Sequence, residues 1–248
     1  MKRFFDRSRP VLTPRDLVTT FTKRTYEDLT LPKRALIVFD SGDLRRLLGR
    51  LRHSPIHAWS GFRAIYRIDG KDTILTRSYF GGPNIAALVE ELACFGVEEF
   101  IVWGYCGAIN EGLELGDVIA VRGALREDGV SFHYIDDSGG DIVYTDWIDY
   151  WDGYTKEYNL LDGIIWSCDA IYRETEKKIE GYNRKGILAV EMEVASFYSV
   201  CKYRGVKAIA FVVVSDLLIN GIWKGGFHDG SFKRGAKRLF DFIIEKVI

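Results

Sequence analysis

The sequence predicts a single α/β domain in which helices flank a central mixed, largely parallel sheet. Candidate strands alternate with candidate helices along most of the chain, which is the pattern of such domains. The run from Lys207 to Val214 is continuous and rich in β-branched residues, as expected of a strand buried on both faces. No repeat or Pro/Gly/Ser-rich linker divides the chain. We therefore expect one domain over residues 33–248, preceded by an N-terminal extension over residues 1–32.

The elements follow from the periodicity of apolar residues and from the turn residues between them. Asp69-Gly70 separates two short apolar runs and predicts a hairpin. Strands are expected at residues 35–39, 65–68, 72–77, 100–103, 117–121, 163–167 and 207–214. Helices are expected from Asn84 to the residue before Gly96, over residues 190–203 and over residues 232–247.

Composition excludes several classes of function. Of 248 residues, 47% are apolar and 28% are charged, and the net charge of −1 gives no electrostatic basis for binding nucleic acid or an anionic membrane. The longest apolar run, Ala208 to Val214, is too short to span a bilayer. The four cysteines are scattered without a CxxC pair, so reduced thiols and a cytoplasmic location are expected. His53 and His57 flank Pro55 without an acidic or cysteine ligand nearby, so neither a metal site nor a cofactor is predicted.

Ligands of open α/β sheets bind beyond the carboxyl ends of the strands, so polar residues that follow apolar runs are the candidates for a site. Five segments meet this criterion: Ser41-Gly42-Asp43, Gly81-Gly82-Pro83-Asn84, Gly104-Tyr105-Cys106-Gly107, Glu191-Met192-Glu193 and Ser215-Asp216.

These segments, in this order and spacing, resemble the uridine and purine nucleoside phosphorylase family, which includes related nucleosidases. The likeness runs from about residue 34 to the C-terminus. Its most specific part is Val190-Glu191-Met192-Glu193 followed by Ala195. The resemblance implies a nucleoside phosphorylase-like fold and cleavage of the N-glycosidic bond of a nucleoside.

The resemblance assigns Met192 and Glu193 to the ribose. Cleavage of a glycosidic bond builds positive charge on the sugar, and a carboxylate that binds the sugar hydroxyls favours that state. The apolar Met192 would pack on the ribose. The alternative is that Glu191 and Glu193 are solvated acids at a helix start, where the helix dipole favours negative charge.

Asp216 follows a wholly apolar strand, and the resemblance makes it the catalytic acid. A partly desolvated carboxyl can hold a proton and donate it to the departing base. The alternative is an aspartate that caps the next turn. The Ser215-Asp216 pair resembles the purine-type branch, and residues 171–177 have neither Gln nor Arg at the matching places where pyrimidine-type relatives read the base. A purine-type nucleoside is therefore expected.

Residues Ser167 to Tyr172 resemble the segment that forms the base pocket in the family, so the base pocket is expected there. The family has an aromatic residue where this chain has Ile171, so Tyr172 or Trp166 could stack on the base instead. Trp166 could equally be part of the core. Glu191 completes the expected base-binding set.

The phosphate site departs most from the family. Gly42 and Arg46 match its first element, and Arg45 is adjacent. Ser60 and Val102 stand where the family has arginines, and Tyr105 stands where it has a small hydroxyl residue. Arg63 and Arg77 could compensate for the two missing arginines. Phosphate is thus only a possible co-substrate, and water is an expected acceptor because guanidinium groups are the usual ligands of oxyanions.

Two alternatives to such an enzyme stay open at this point. The chain could bind or sense a nucleoside without cleaving it, or it could be a true phosphorylase with a rebuilt phosphate site. The resemblance also implies a homo-oligomer, either a dimer or a hexamer. The aromatic segment Tyr144 to Tyr158, with Trp147 and Trp151, is interpreted as an ordered insertion, a subunit contact or a lid.

Overall fold

A computed structural model of the protein describes residues 4–59, 63–136, 138 and 140–248. Within these ranges the chain forms eleven strands and eight α-helices. The strands are β1 (Arg34–Val38), β2 (His53–Pro55), β3 (Ile65–Ile68), β4 (Thr73–Arg77), β5 (Glu99–Ala108), β6 (Val118–Glu127), β7 (Ile142–Tyr144), β8 (Leu161–Cys168), β9 (Ile187–Glu191), β10 (Lys207–Ile219) and β11 (Ile222–Gly225). The helices are α1 (Pro14–Thr22), α2 (Ser41–Arg50), α3 (Gly82–Cys94), α4 (Ser131–Tyr134), α5 (Ile148–Glu157), α6 (Glu176–Asn183), α7 (Val194–Arg204) and α8 (Gly230–Phe242).

All of these strands belong to one mixed sheet, as predicted. Their order is β11-β10-β6-β8-β9-β5-β1-β4-β3-β2, with β7 paired to β6. Because β10 also pairs with β5, the strands β5, β9, β8, β6 and β10 close into a ring. Parallel pairs join β1 to β4 and β5, β5 to β10, and β8 to β6 and β9. The other pairs are antiparallel, so the parallel part is smaller than the prediction of a largely parallel sheet implied.

The side chains of β10 alternate between two cores, one on each face of the sheet. Val212 and Val214 join the core that contains residues of α3 and α7, whereas Phe211 and Val213 join the core that contains residues of α2, α5 and α8. A strand buried on both faces is what its continuous apolar run predicted. The buried strand brings Asp216, near its carboxyl end, to the border of the core.

The aromatic segment after β7 forms helix α5 and packs inside the protomer. Trp151 is fully buried, with its ring edge-on to Phe211 at 5.6 Å and to Phe242 at 6.0 Å. Trp147 is also buried. The interpretation of these two indoles as a subunit contact is therefore wrong, because the core of the same chain already covers them.

The predicted helix over residues 190–203 is shorter than expected. Strand β9 ends at Glu191, and α7 begins only at Val194. Sequence periodicity missed this strand because its buried residues continue the apolar pattern of the helix that follows. The break between them leaves Met192 and Glu193 in the connection.

The N-terminal segment carries helix α1, and its Val18 is fully buried in the core that contains α3. The four cysteines form no disulfide, and three of them are buried. In the part of the chain that the structure describes, no helix has both the length and the apolar character needed to cross a membrane.

Candidate active site

Gly107 in β5 lies at the centre of the candidate site because its two neighbouring strands carry the predicted acid and the predicted ribose segment. Asp216 of β10 lies opposite Gly107 on one side, and Val190 of β9 lies opposite it on the other. Adjacent strands lie nearly 5 Å apart, so the backbone of Asp216 is about 10 Å from that of Val190. A side chain at Gly107 would not fit, since its Cβ would come 2.9 Å from Asp216 Oδ2 and 2.3 Å from Leu218 Cδ1. The sheet thus brings the predicted acid and the predicted ribose segment together.

Glu193 links the β9–α7 connection to the start of α3. Its Oε1 accepts a 2.6 Å hydrogen bond from the backbone N–H of Gly81. The side chain is buried, and burial raises the pKa of Glu193. Met192 beside it is half-buried. A buried carboxyl next to a partly exposed thioether can bind hydroxyl groups on one side and an apolar sugar face on the other.

Glu191 has a different environment from Glu193. Its Oε2 accepts hydrogen bonds from the backbone N–H groups of Glu193 at 2.7 Å and Val194 at 2.8 Å, and Ser167 donates to its Oε1. The Ser167 hydroxyl oxygen in turn accepts from Ala195 N–H at 2.8 Å. Glu191 therefore accepts the hydrogen bonds of backbone N–H groups at the start of α7, which is the capping arrangement expected of a carboxylate there. Both of its oxygens are engaged by the protein, which argues against the predicted base-binding role.

Asp216 is held at both of its carboxylate oxygens. The Ser215 hydroxyl lies 2.7 Å from Oδ1, and the indole Nε1 of Trp223 donates to Oδ2 at 2.9 Å. Trp223 belongs to β11, the antiparallel partner of β10. Trp223 was not among the site residues predicted from the sequence.

A second acid, Glu174, lies on the connection from β8 to α6. Burial is the main cause that raises its pKa to about 7, and the negative charge of Asp216 adds to this effect. The carboxyl groups of Glu174 and Asp216 therefore interact electrostatically. Sequence reasoning missed Glu174 because nothing in its local sequence signals proximity to Asp216.

The predicted base-binding residues of the β8 end fall into two groups. Ile171 and Tyr172 are 54% and 95% exposed, so their side chains are open to a ligand. Trp166 is fully buried and packs on Tyr182 at 4.8 Å, so the core interpretation of Trp166 holds and its base-stacking role is corrected. The alternation of side chains along β8 turns Trp166 inward.

At the start of α2, where the resemblance places the phosphate, the backbone N–H groups are hydrogen-bonded to an aspartate of the protein itself. Asp40 caps helix α2, and its Oδ1 accepts from the N–H groups of Gly42 at 2.7 Å and Asp43 at 3.1 Å. These N–H groups are the ones that an anion at the helix start would use. Asp43 is itself buried, and its Oδ2 accepts a 2.5 Å hydrogen bond from the Tyr105 hydroxyl. Burial raises the pKa of Asp43 to about 6.

The arginines expected at this position contact other groups. Arg46 is exposed and stacks over the ring of Phe240, 4.3 Å from its centroid, and Arg45 is exposed beside it. Arg63, the first proposed replacement, forms an ion pair with the buried Glu91. Arg77, the second proposed replacement, has its guanidinium carbon 4.6 Å from the centroid of the Tyr79 ring. Of the two positions where the family has arginines, Val102 is in the core and Ser60 falls outside the described residues.

The chain is similar to known nucleoside phosphorylases along most of its length. It is 32% identical over 177 residues to the guanosine phosphorylase of Halorubrum lacusprofundi, which covers 68% of this chain and 71% of the relative. It is 27% identical to a DeoD-type purine nucleoside phosphorylase of Clostridium novyi, with 68% and 73% covered. The crystal structure of uridine phosphorylase from Vibrio fischeri superposes with a TM-score of 0.70 at 18% identity, covering 87% of this chain and 88% of that one.

A sequence profile described as Phosphorylase superfamily matches residues 33–247, which is nearly the whole of the predicted α/β domain. The superposition supports the same fold, and the resemblance drawn from the site segments is confirmed. With Gly107 between Asp216 and the β9 end, and with this profile spanning the sheet that builds the site, the chain belongs to the Phosphorylase superfamily.

Proposed function

We propose that the protein cleaves the N-glycosidic bond of a purine-type nucleoside, with Asp216 as proton donor and with Glu193 and Met192 holding the ribose. The observation that carries this proposal is the pairing of Gly107 with Asp216 on one side and with the β9 end on the other. A nucleoside across this position would have its base near Asp216 and its sugar near Glu193.

In this reaction each bond that forms is matched by a bond that breaks. The bond between the sugar C1′ and the base nitrogen breaks, and its electron pair leaves with the base. Asp216 transfers a proton to a ring nitrogen of the base, which neutralises the developing negative charge. The Glu193 carboxylate hydrogen-bonds the ribose hydroxyls and favours the positively charged sugar. A water oxygen then bonds to C1′, one of its O–H bonds breaks, and the released proton restores the protonated form of Asp216.

Water is the acceptor that the geometry supports best. The Asp40 carboxylate occupies the N–H groups at the start of α2, and Asp43 and Tyr105 fill the adjacent space. An incoming phosphate dianion would meet two aspartates there. A charge-assisted hydrogen bond contributes roughly 1.5–3 kcal/mol, so the absence of two arginine contacts weakens phosphate binding by about 3–6 kcal/mol.

Two observations support a purine-type base. The matched relatives are named guanosine phosphorylase and purine nucleoside phosphorylase. The chain also carries the Ser215-Asp216 pair that resembles the purine-type branch. Exposed Tyr172 and Ile171 provide apolar surface against which a base can pack.

The experiment is a panel of purine and pyrimidine nucleosides incubated with the protein at zero and at 10-fold steps of phosphate. The released base and the sugar product are both quantified by chromatography. We expect a purine base and free ribose at a rate independent of phosphate, abolished in Asp216→Asn and retained in the exposed control Glu176→Gln. Absence of cleavage for every nucleoside, with and without phosphate, would refute the proposal.

Phosphorolysis is the second candidate, favoured by the names of the relatives. Saturable formation of ribose 1-phosphate at millimolar phosphate would establish it and would exclude water as the main acceptor. The remaining alternative is a protein that binds a nucleoside and does not cleave it. In that case a nucleoside would raise the melting temperature, since a ligand of the folded state raises apparent stability, and no product would form.

A homo-oligomer and a cytoplasmic location complete the proposal. The resemblance to dimeric and hexameric enzymes supports the first, and the scattered, unpaired cysteines support the second. Light scattering at working concentration tests the assembly, and a monomeric mass would contradict it.

A further inference from the structure

The β10–β11 hairpin extends the strand that carries Asp216. Asn220 and Gly221 form its turn, with φ angles of 54° and 69°. Both residues accept left-handed backbone conformations, which makes this pair a favoured two-residue hairpin turn. The resulting register pairs Ile219 with Ile222 and Asp216 with Gly225. Trp223 is then two residues from Gly225 on the same face of β11.

The indole of Trp223 lies over Gly225. A Cβ at position 225 would come 2.8 Å from Cη2 and 3.1 Å from Cζ2 of that indole. The absence of a side chain therefore lets the ring lie flat along β11 and reach the strand partner of Gly225, which is Asp216. The Nε1 donates to Asp216 Oδ2 at 2.9 Å. Because the ring is 65% exposed, its position does not serve the core.

Ser215 offers its single hydroxyl proton to two acceptors. Its Oγ lies 2.7 Å from Asp216 Oδ1 and 3.2 Å from the carbonyl oxygen of Cys106. Rotation of the hydroxyl to the Cys106 carbonyl leaves Oδ1 without a donor. The indole N–H has no such alternative, because a tryptophan nitrogen only donates. The two hydrogen bonds to Asp216 are therefore unequal: the bond from Trp223 to Oδ2 is fixed, and the bond from Ser215 to Oδ1 can be exchanged for one to Cys106.

We propose that Trp223 is the positioning residue of the acid: its N–H fixes the Asp216 carboxyl, through Oδ2, beside Gly107, where the base would lie. This inference rests on the proposed function. In the reaction the O–H bond of Asp216 breaks, the proton joins the ring nitrogen of the base, and the electron pair of that bond stays on Asp216 as a carboxylate. The indole N–H then stabilises the new negative charge, an interaction that is stronger after proton transfer than before it.

The first test compares Trp223→Phe with the wild type and with Ile222→Ala, an equally exposed position on the same hairpin. Phe keeps the aromatic surface and lacks the N–H. We expect Trp223→Phe to lower kcat by about tenfold to a hundredfold, with KM changed by less than about threefold, the effect of losing one charge-assisted hydrogen bond. Gly225→Ala should lower kcat in the same direction because it displaces the ring. A wild-type kcat in Trp223→Phe would overturn the inference.

The second test does not require turnover. The indole N–H resonance of Trp223, identified by its loss in Trp223→Phe, is compared by NMR at one pH in the wild type, in Asp216→Asn and in Glu174→Gln. Other titratable or charged groups near Asp216 are Glu174, Glu176 beside the hairpin turn, Cys106 and Lys224 of β11. We expect the resonance to move in Asp216→Asn, because the acceptor of the indole N–H changes from a carboxyl oxygen to an amide group, and to stay in place in Glu174→Gln.

An indole resonance with the same chemical shift in Asp216→Asn and in the wild type would also overturn the inference. The two proposals fail in different ways. If the wild type cleaves no nucleoside, the proposed function fails. If the wild type cleaves a nucleoside and Trp223→Phe is equally active, the proposed function stands and the role of Trp223 fails.

Discussion

The hydroxyl of Tyr105 donates a 2.5 Å hydrogen bond to Oδ2 of Asp43, next to the helix start where a phosphate would be held. Both groups are largely buried, and burial raises the pKa of Tyr105 as well as that of Asp43. The Asp43 carboxyl and the phenol therefore satisfy each other in a place that the family resemblance reserved for an anion. This pair distinguishes the acceptor side of the site from the rest of it.

Asp43 makes folding depend on pH. Its pKa rises from 3.8 to about 6 on folding, so the protonated form is favoured in the folded state. The associated stability is complete below pH 3.8 and is lost as the pH rises through about 6. A shift of about two pKa units corresponds to roughly 3 kcal/mol. We expect Asp43→Asn, which does not ionise, to be more stable than the wild type at pH 8 and to gain little at pH 4.

The measurement is the free energy of unfolding in urea at pH 4, 6 and 8. Asp149→Asn, at an exposed position on α5, is the matched control and should leave the pH dependence unchanged. Equal stabilisation of Asp43→Asn at pH 4 and pH 8 would contradict the argument, because a packing effect does not depend on the charge of Asp43.

A substitution at Glu191 should mainly lower stability, whereas a substitution at Glu193 should mainly lower activity. Glu191 accepts two backbone hydrogen bonds at the start of α7, and a buried donor left without an acceptor costs about 1–3 kcal/mol. Glu191→Ala should therefore lower the unfolding free energy by about that amount or more. Glu193→Gln can keep an acceptor for Gly81 and should mainly lower kcat/KM, by about tenfold to a hundredfold. Melting curves and steady-state kinetics on both variants check this, and a reversed pattern would exchange the two roles.

Glu174 should impose an ionisation near neutral pH on the reaction. Its pKa is raised to about 7, first by burial and then by the charge of Asp216. Above that pH a second negative charge lies beside the acid, and below it Glu174 is neutral. We expect the pH profile of kcat/KM to lose an inflection near pH 7 in Glu174→Gln and to keep it in Glu176→Gln. Superimposable profiles for Glu174→Gln and the wild type would show that Glu174 does not act on the site.

Trp151 should behave as a core residue and not as an interface residue. It is fully buried against Phe211 and Phe242. Trp151→Ala should lower the unfolding free energy by about 3–5 kcal/mol, the usual cost of truncating a buried aromatic side chain. The exposed neighbour Tyr150→Ala should cost less than about 1 kcal/mol. A Trp151→Ala protein with wild-type stability but an altered molecular mass would restore the subunit-contact interpretation.

Local pattern in the sequence determined much of this protein. The β-branched run before Ser215 specified a strand buried on both faces, and it placed Asp216 near the strand end. Asn220-Gly221 is a hairpin signal whose two-residue turn pairs Ile219 with Ile222, so the nearness of Trp223 to Asp216 could have been deduced from the sequence. Such features are predictable because turn type and side-chain alternation depend only on neighbouring residues.

Tertiary structure alone decided which of the similar residues face a ligand. Trp166 and Trp151 are core residues and Trp223 is exposed, although all three are tryptophans. Asp43 and Tyr105 are 62 residues apart and meet only because β1 and β5 are adjacent strands. Burial and contacts between distant residues arise from the packing of whole elements, which residue type and spacing do not encode locally. The sequence therefore determined the family, and the fold decided that Asp43 and Tyr105 contact each other beside the start of α2.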